Sequence, residues 1–232
     1  MTTPNQISTQ LFARSQKWLA LALAIACALP NGSELAHADY GQTDLERSIA
    51  AGRLDSWHNL IKHGRQLDES QKLQQVNRFI NRALSYASDQ QVWQSKDYWA
   101  TPSEALSRGQ GDCEDYAIAK FFGLTQMGIP SERLRLTYVK DLKHNQAHMV
   151  LAYYAPGASQ PQLLDSLQDS IEPASARRDL LPVYAFNDQG IYLASSPQRK
   201  AKSDSGQIAF WSEVRERALS DGSLNQPLMP RG

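Results

Sequence analysis

Helical and strand-like patterns of apolar residues follow one another along this chain. Apolar residues recur at helical spacing over residues 43–65 and 69–88, which predicts two amphipathic helices. A third helical pattern covers residues 113–124 and is followed by the stop signal at residues 128–130. Residues 103–106 fit one short helical turn between the second and third helices.

The second half of the chain shows the shorter, alternating pattern that is typical of strands. Residues 195–206 are polar and predict a loop, and residues 208–219 predict a short helix or strand. Helices followed by antiparallel strands indicate an α+β fold in one domain. The predicted strands cover residues 133–139, 147–154, 162–165, 181–186 and 191–194, the last two joined by a four-residue turn at 187–190.

The N-terminal region has the pattern of a secretory signal. Arg14 and Lys17 precede an apolar run at residues 18–29, and the small residues Ala36 and Ala38 follow it. This predicts a signal peptide over residues 1–38 and a mature domain over residues 39–232. The run is too short for a comfortable membrane span, so we expect no membrane insertion of the mature chain.

The charge balance argues against a nucleic-acid partner. The chain has 24 basic and 24 acidic residues and a formal net charge of zero, with no long basic run. A hydrophobic content of 41% is enough for an ordinary buried core.

Cys113 is the main candidate for chemistry. Cys27 lies inside the predicted signal, so the mature chain retains one cysteine and has no internal disulfide. A lone thiol in an oxidising compartment indicates either a nucleophile or a buried, inert side chain. Its place at a helix start favours the thiolate, whereas the carboxylates beside it oppose ionisation.

A cysteine nucleophile needs a histidine base and a third group that orients the histidine. Of the histidines outside the signal, His148 lies at the start of a predicted strand, which would hold it rigidly. Asp165 follows an apolar strand, where it either points into water or faces a partner. Neighbouring antiparallel strands would place these two side chains together, which predicts a Cys113–His148–Asp165 triad.

The segment Gly111-Asp-Cys-Glu-Asp-Tyr-Ala117, then Ala147-His-Met-Val150, then Leu164-Asp-Ser166, resembles the transglutaminase-like cysteine proteases. More closely, it is similar to the bacterial transglutaminase-like cysteine proteinases of the LapG type, over most of the mature chain. The resemblance implies a papain-like plan in which a cysteine-bearing helix packs on an antiparallel sheet. It assigns the nucleophile, base and orienting roles to Cys113, His148 and Asp165.

The same resemblance implies a calcium ion beside the thiol. Its ligands would be Asp112 and Glu114, together with Asp115, and their hard oxygen atoms suit Ca²⁺. A bound dication would offset the effect of these carboxylates on the thiol. The alternative is that the acids only cap the helix N-terminus.

The function implied by the resemblance is that of a calcium-dependent periplasmic cysteine endopeptidase. Its substrate would be the N-terminal region of a large cell-surface adhesin, whose release disperses a biofilm. Its partner would be the periplasmic domain of an inner-membrane cyclic-di-GMP receptor. Acyl transfer by a transglutaminase-like site and a non-catalytic binding module are the alternatives. Trp93 and Trp99 would form a wall of the substrate groove, or else pack the loop against the core.

Overall fold

The computed structural model describes the backbone of residues 32–193, 196–200 and 206–224, with side chains for 43–193 and 209–224. Residues 1–31 of the predicted signal lie outside these ranges. The chain divides into two units, residues 1–46 and 47–232, and the following account concerns the second. Within the described residues, no helix has both the length and the hydropathy that crossing a membrane requires.

Helices occupy the first part of the chain and strands the second, as the apolar pattern predicts. The first helix begins ahead of the predicted start at residue 43, and Gly52 does not interrupt it. The helices are α1 (Gly32–Gly64), α2 (Glu69–Ala83), α3 (Asp89–Val92), α4 (Pro102–Arg108), α5 (Cys113–Gln126) and α6 (Gly206–Ser220). The strands are β1 (Ser85–Tyr86), β2 (Gln110–Gly111), β3 (Leu134–Asp141), β4 (Gln146–Tyr153), β5 (Gln162–Leu164), β6 (Glu172–Pro173), β7 (Leu180–Asn187), β8 (Gly190–Leu193) and β9 (Ser196–Lys200).

Seven strands form one antiparallel sheet in the order β6-β5-β4-β3-β7-β8-β9. The predicted loop over residues 195–206 is wrong for residues 196–200, because these form β9 and pair with β8. The predicted four-residue turn at 187–190 is also wrong. Asn187 pairs with Gly190, which leaves a two-residue turn. The Asn187 side chain stabilises this turn by accepting a hydrogen bond from the Gln189 N–H at 2.9 Å.

Helix α5 lies at the centre of the core. Every residue from Asp115 to Leu124 is buried, so this helix is enclosed on all sides rather than exposed along one face. It packs against β4 and β3 of the sheet and against α2. From α6, Trp211 stacks on Phe122 with ring centroids 5.4 Å apart. The helices therefore cover one face of the sheet and fix α5 against its middle strands.

The opposite face of the sheet is only partly covered, as antiparallel sheets allow. A smaller apolar cluster lies there, formed around Val150, Ala152 and Leu163. A cavity of about 220 Å³ adjoins this cluster, and Arg135 and Arg177 contribute to its walls. The sheet thus separates the main core from a second, smaller apolar region.

The close approach of α5 to α1 depends on Gly123. A Cβ atom at this position would lie 2.4 Å from Cη2 of Trp57, and Trp57 is only 1% exposed. We expect Gly123→Ala to lower the free energy of unfolding by about 1–3 kcal/mol, because the buried indole has little room to shift. Urea denaturation followed by circular dichroism measures this change.

Gly52→Ala is the matched control within the helical layer. A Cβ atom at Gly52 has no neighbour within 4 Å, so the substitution adds helix propensity without a clash. We expect it to raise stability by about 0.5–1 kcal/mol. Equal effects of the two substitutions would contradict the packing argument.

Candidate active site

Cys113 is the first residue of α5, and Asp112 is the N-cap of this helix. Asp115 folds back over the helix start, where its Oδ2 accepts a hydrogen bond from the Asp112 N–H at 3.3 Å. A Cβ atom at position 111 would lie 2.6 Å from that same oxygen, so only glycine fits there. The Gly-Asp-Cys-Glu-Asp segment is therefore a local unit that builds the helix start and presents the thiol.

A short parallel bridge between β1 and β2 holds the loop that leads to Cys113. Ser85 N donates to Gly109 O at 2.9 Å, and Ala87 N donates to Gly111 O at 3.0 Å. Sequence patterns did not reveal this bridge, because each strand has only two residues and no apolar alternation. It ties the segment after α2 to the backbone just ahead of the thiol.

His148 and Asp165 are in direct contact. His148 lies on β4, Asp165 follows β5, and these strands are neighbours in the sheet. Nε2 of His148 and Oδ1 of Asp165 are 2.7 Å apart, and both side chains are almost fully buried. Asp165 Oδ1 also accepts a hydrogen bond from the Leu167 N–H at 3.1 Å. This leaves Nδ1 of His148 as the ring nitrogen that is not engaged by the carboxylate.

Arg177 is a further partner of Asp165 that the sequence did not reveal. Its Nη1 lies 2.7 Å from Asp165 Oδ2, and its side chain is 7% exposed. Burial opposes ionisation of Asp165. The hydrogen bond and charge of His148 outweigh this effect, and Arg177 adds to them. Together they hold the pKa of Asp165 well below its usual value. Asp165 is therefore an ionised, buried carboxylate with a hydrogen bond to His148 at Oδ1 and an ion pair with Arg177 at Oδ2.

Cys113 is next to the strand that carries His148, because α5 packs on β4. The backbone N–H of Met149, the residue after His148, faces the sulfur and favours the thiolate. The structure thus places the predicted base and orienting acid in contact, and places the predicted nucleophile beside the same strand.

Burial and negative charge work against ionisation of the thiol. Burial is the larger influence and raises the pKa of Cys113, and the Glu114 carboxylate raises it further. Sγ of Cys113 donates to Oε2 of Glu114 at 3.0 Å, which keeps the proton on sulfur. A thiolate at this position requires that the negative charge around it be offset.

The acids beside the thiol belong to a larger cluster than the sequence predicted. Asp112 and Glu114 are joined by Asp89, at the start of α3, and by the exposed Asp97 in the following loop. Two acidic triplets have carboxylate oxygens that lie within 4.8 Å of one another: Asp89, Asp112 and Asp115, and Asp89, Asp97 and Glu114. Asp89 and Asp97 are far from Cys113 in sequence, so only the folded chain reveals them.

This cluster has the features of a site for a hard divalent cation. Oδ1 of Asp89 and Oδ1 of Asp112 are buried and have no hydrogen-bond partner among the described residues. Burial, followed by hydrogen bonding and repulsion from Glu114, raises the pKa of Asp112 to about 10. Burial is also the main reason why the pKa of Asp89 rises to about 6. Convergent carboxylates with unused buried oxygens suit a cation such as Ca²⁺.

Asp115 is placed differently from the other two predicted ligands. Its Oδ1 accepts a hydrogen bond from the Ala100 N–H at 2.7 Å, and its Oδ2 accepts from Asp112. The side chain is fully buried. Asp115 therefore braces the loops around the cluster, and its oxygens are already engaged by backbone donors.

The aromatic side chains near the site are packed against other rings rather than arranged as the predicted groove wall. Trp99 is 3% exposed and stacks on Phe186 in the core, so it is not an open wall. Trp93 is half-buried and packs against Tyr98 with ring centroids 4.6 Å apart. Tyr86, on β1, is 70% exposed. Partial burial is the main reason why the pKa of its phenol is raised, and negative charge at Cys113, Asp112 and Glu114 raises it further.

Comparison with known proteins identifies the class to which this fold and site belong. The family of bacterial transglutaminase-like cysteine proteinases (BTLCP) matches residues 55–177, which is more than half of the 232-residue chain. The chain therefore belongs to this family of cysteine proteinases. A search of curated proteins gave no significant match.

Among solved structures, the chain is similar to LapG from Legionella pneumophila. The calcium-bound form is 40% identical, with a TM-score of 0.65 over 74% of this chain and 96% of LapG. The EGTA-treated form is 41% identical, with a TM-score of 0.65 over 75% of this chain and 94% of LapG. This similarity confirms the predicted transglutaminase-like α+β fold.

The buried contact between Asp165 and Arg177 gives a prediction that is independent of function. We expect Asp165→Asn to lower the free energy of unfolding by about 3 kcal/mol, because Arg177 stays buried after losing a charged partner. Urea denaturation measures the loss. Asp169→Asn is the matched control, because Asp169 is exposed and its Oδ1 accepts only from Asn81 at 3.1 Å. A cost for Asp169→Asn equal to that for Asp165→Asn would contradict this account.

Proposed function

We propose that this protein is a calcium-dependent cysteine endopeptidase of the periplasm. The observation that carries the proposal is the hydrogen-bonded His148–Asp165 pair, 2.7 Å apart, on the strand whose next N–H faces the Cys113 sulfur. In a chain that belongs to a cysteine proteinase family, this arrangement supports a nucleophile, a base and an orienting acid.

The chemistry would begin with transfer of the Cys113 proton to Nδ1 of His148. The thiolate would attack the scissile carbonyl carbon, and backbone N–H groups near Cys113 would stabilise the negative charge on the carbonyl oxygen. The imidazolium of His148 would then protonate the leaving amine as the C–N bond breaks. A water molecule, deprotonated by His148, would hydrolyse the thioester and restore the thiol. Asp165 would hold the imidazole in the required tautomer throughout.

Asp112 and Glu114 would hold the calcium ion, with Asp89 and Asp97 adding oxygens from α3 and the loop after it. When bound, the cation would supply positive charge that offsets these carboxylates and favours the thiolate. The unpartnered oxygens of Asp89 and Asp112 support this assignment. So does the similarity to LapG, of which a calcium-bound structure is known.

The proposed substrate is the N-terminal region of a large cell-surface adhesin, cut at a small-residue site of the Ala-Ala type. Its release would promote biofilm dispersal. The proposed partner is the periplasmic domain of an inner-membrane cyclic-di-GMP receptor, which would sequester the protease. These assignments are supported by the family resemblance and by the predicted signal over residues 1–38.

Cleavage of a candidate substrate tests the reaction. Residues 39–232 would be incubated with adhesin N-terminal fragments, and the new terminus would be mapped by mass spectrometry. We expect one cut between small residues, and a loss of about 1,000-fold or more in rate for Cys113→Ala and His148→Ala.

An added primary amine distinguishes hydrolysis from acyl transfer, the second candidate reaction. Amide products in place of new carboxyl termini would indicate acyl transfer and overturn the protease proposal.

Calcium removal tests the metal site. We expect a chelator to abolish cleavage and excess Ca²⁺ to restore it. Asp89→Asn and Asp112→Asn should raise the calcium concentration needed for half-maximal activity by about 10-fold or more, because each removes a buried ligand charge. Isothermal titration calorimetry measures binding independently of activity.

Asp55→Asn is the control for these substitutions, because Asp55 is an exposed acid on α1 outside the cluster. It should leave calcium binding unchanged. A chelated protein that cleaves at the rate of the untreated protein would show that no metal is required.

A further inference from the structure

Arg177 contacts the side of Asp165 that His148 leaves open. We propose that Arg177 is a positioning residue, which fixes the Asp165 carboxylate so that Asp165 can orient the His148 imidazole. This inference rests on the proposed function for its catalytic meaning. The contacts themselves are properties of the fold.

The carboxylate of Asp165 is held at both oxygens. Oδ1 contacts Nε2 of His148 at 2.7 Å and accepts from the Leu167 N–H at 3.1 Å, whereas Oδ2 lies 2.7 Å from Nη1 of Arg177. A carboxylate bound at one oxygen still turns about its terminal torsion, which has a broad minimum. Contact at the second oxygen restricts this rotation and so restricts the direction of the bond to His148.

Arg177 is itself fixed from the other side. Its Nε donates to Oδ1 of Asp179 at 3.0 Å, and its Nη2 donates to Oδ2 of Asp179 at 2.7 Å. The planar guanidinium therefore spans two carboxylates, with the fork on Asp179 and the remaining nitrogen on Asp165. Lysine cannot reproduce this geometry, because its ammonium lacks the fixed fork. Asp179 thus orients Arg177, and Arg177 orients Asp165.

The other charged groups around Asp165 do not take this role. Lys120, on α5, interacts through charge with Asp165 and with Asp169, in the loop after Asp165. Nζ of Lys120 is fully buried and forms no ion pair among the described residues, whereas Nη1 of Arg177 lies 2.7 Å from Oδ2 of Asp165. Arg177 is therefore the cation that touches the carboxylate, whereas Lys120 acts on it from a distance.

A cation behind Asp165 also affects His148. Its contact with Oδ2 fixes the direction in which Oδ1 of Asp165 faces Nε2 of the ring. Replacing Arg177 with a neutral residue should therefore weaken the alignment of the hydrogen bond between His148 and Asp165. A residue that only packed the region would not change this bond.

The test compares Arg177→Gln with Arg135→Gln. Arg135 lines the same outer cavity, but its guanidinium lies over the rings of Tyr154 and Tyr192 at 4.3 and 3.7 Å rather than against Asp165. For Arg177→Gln we expect kcat to fall about 10- to 100-fold with KM little changed, because the base is less well oriented. Arg135→Gln should leave kcat and KM near the parent values.

Nuclear magnetic resonance of His148 separates this inference from the proposed function. The imidazole N–H resonances would be recorded in the Cys113→Ala background with isotope-labelled histidine, which requires no catalysis. The signal followed is the Nε2–H resonance, which moves upfield when the hydrogen bond to Asp165 weakens. We expect Arg177→Gln to move this resonance upfield and Arg135→Gln to leave it in place. An unchanged resonance in a folded Arg177→Gln protein would overturn the positioning role. Failure of the parent protein to cleave any substrate would instead count against the proposed function alone.

Because the substitution removes a buried ion pair, Arg177→Gln is expected to lose stability. All comparisons would therefore be made at a temperature where circular dichroism shows both variants folded. If Arg177→Gln does not fold, Asp179→Asn replaces it, because this change frees Arg177 without removing its charge. Asp179→Asn should lower kcat and leave KM little changed. Full activity of Asp179→Asn would contradict the proposal.

Discussion

The buried carboxylate of Asp115 supports the whole arrangement around the thiol. It has no exposed surface, and it accepts backbone hydrogen bonds from Ala100 and from Asp112. A buried carboxylate without hydrogen-bond partners costs free energy, so the backbone at Ala100 and at Asp112 stays bonded to the Asp115 side chain. Asp115 belongs to α5, and α5 is packed between the sheet and the other helices. The Asp115 side chain thus fixes the backbone around Cys113 relative to the core.

Charges are separated across the site in a consistent way. Carboxylates crowd the thiol side, where Asp112 and Glu114 oppose ionisation of Cys113. Cations lie behind the histidine, where Arg177 contacts Asp165. Negative charge thus collects on the thiol side, whereas the histidine side is balanced by the protein itself. Positive charge added beside Cys113 would therefore change the ionisation of the thiol and leave the His148–Asp165 pair in place.

Sequence reasoning identified what is local and missed what depends on distant contacts. The helix at residues 113–124 and the strands carrying His148 and preceding Asp165 follow from apolar periodicity, which is a property of neighbouring residues. Asp89, Asp97 and Arg177 come from irregular or short segments that are distant in sequence from the residues they join. The turn at residues 187–190 is shorter than its sequence predicts, because the buried Asn187 side chain closes it by accepting a hydrogen bond from the Gln189 N–H. No pattern of apolar spacing contains that information.

The β1–β2 bridge joins its two segments through main-chain hydrogen bonds. These bonds do not depend on which side chains occupy positions 85, 86 and 110. Tyr86, with 70% of its surface exposed beside the thiol, is one of these side chains. Substitution of Tyr86 would therefore change the surface next to Cys113, while the backbone that presents the thiol stays the same.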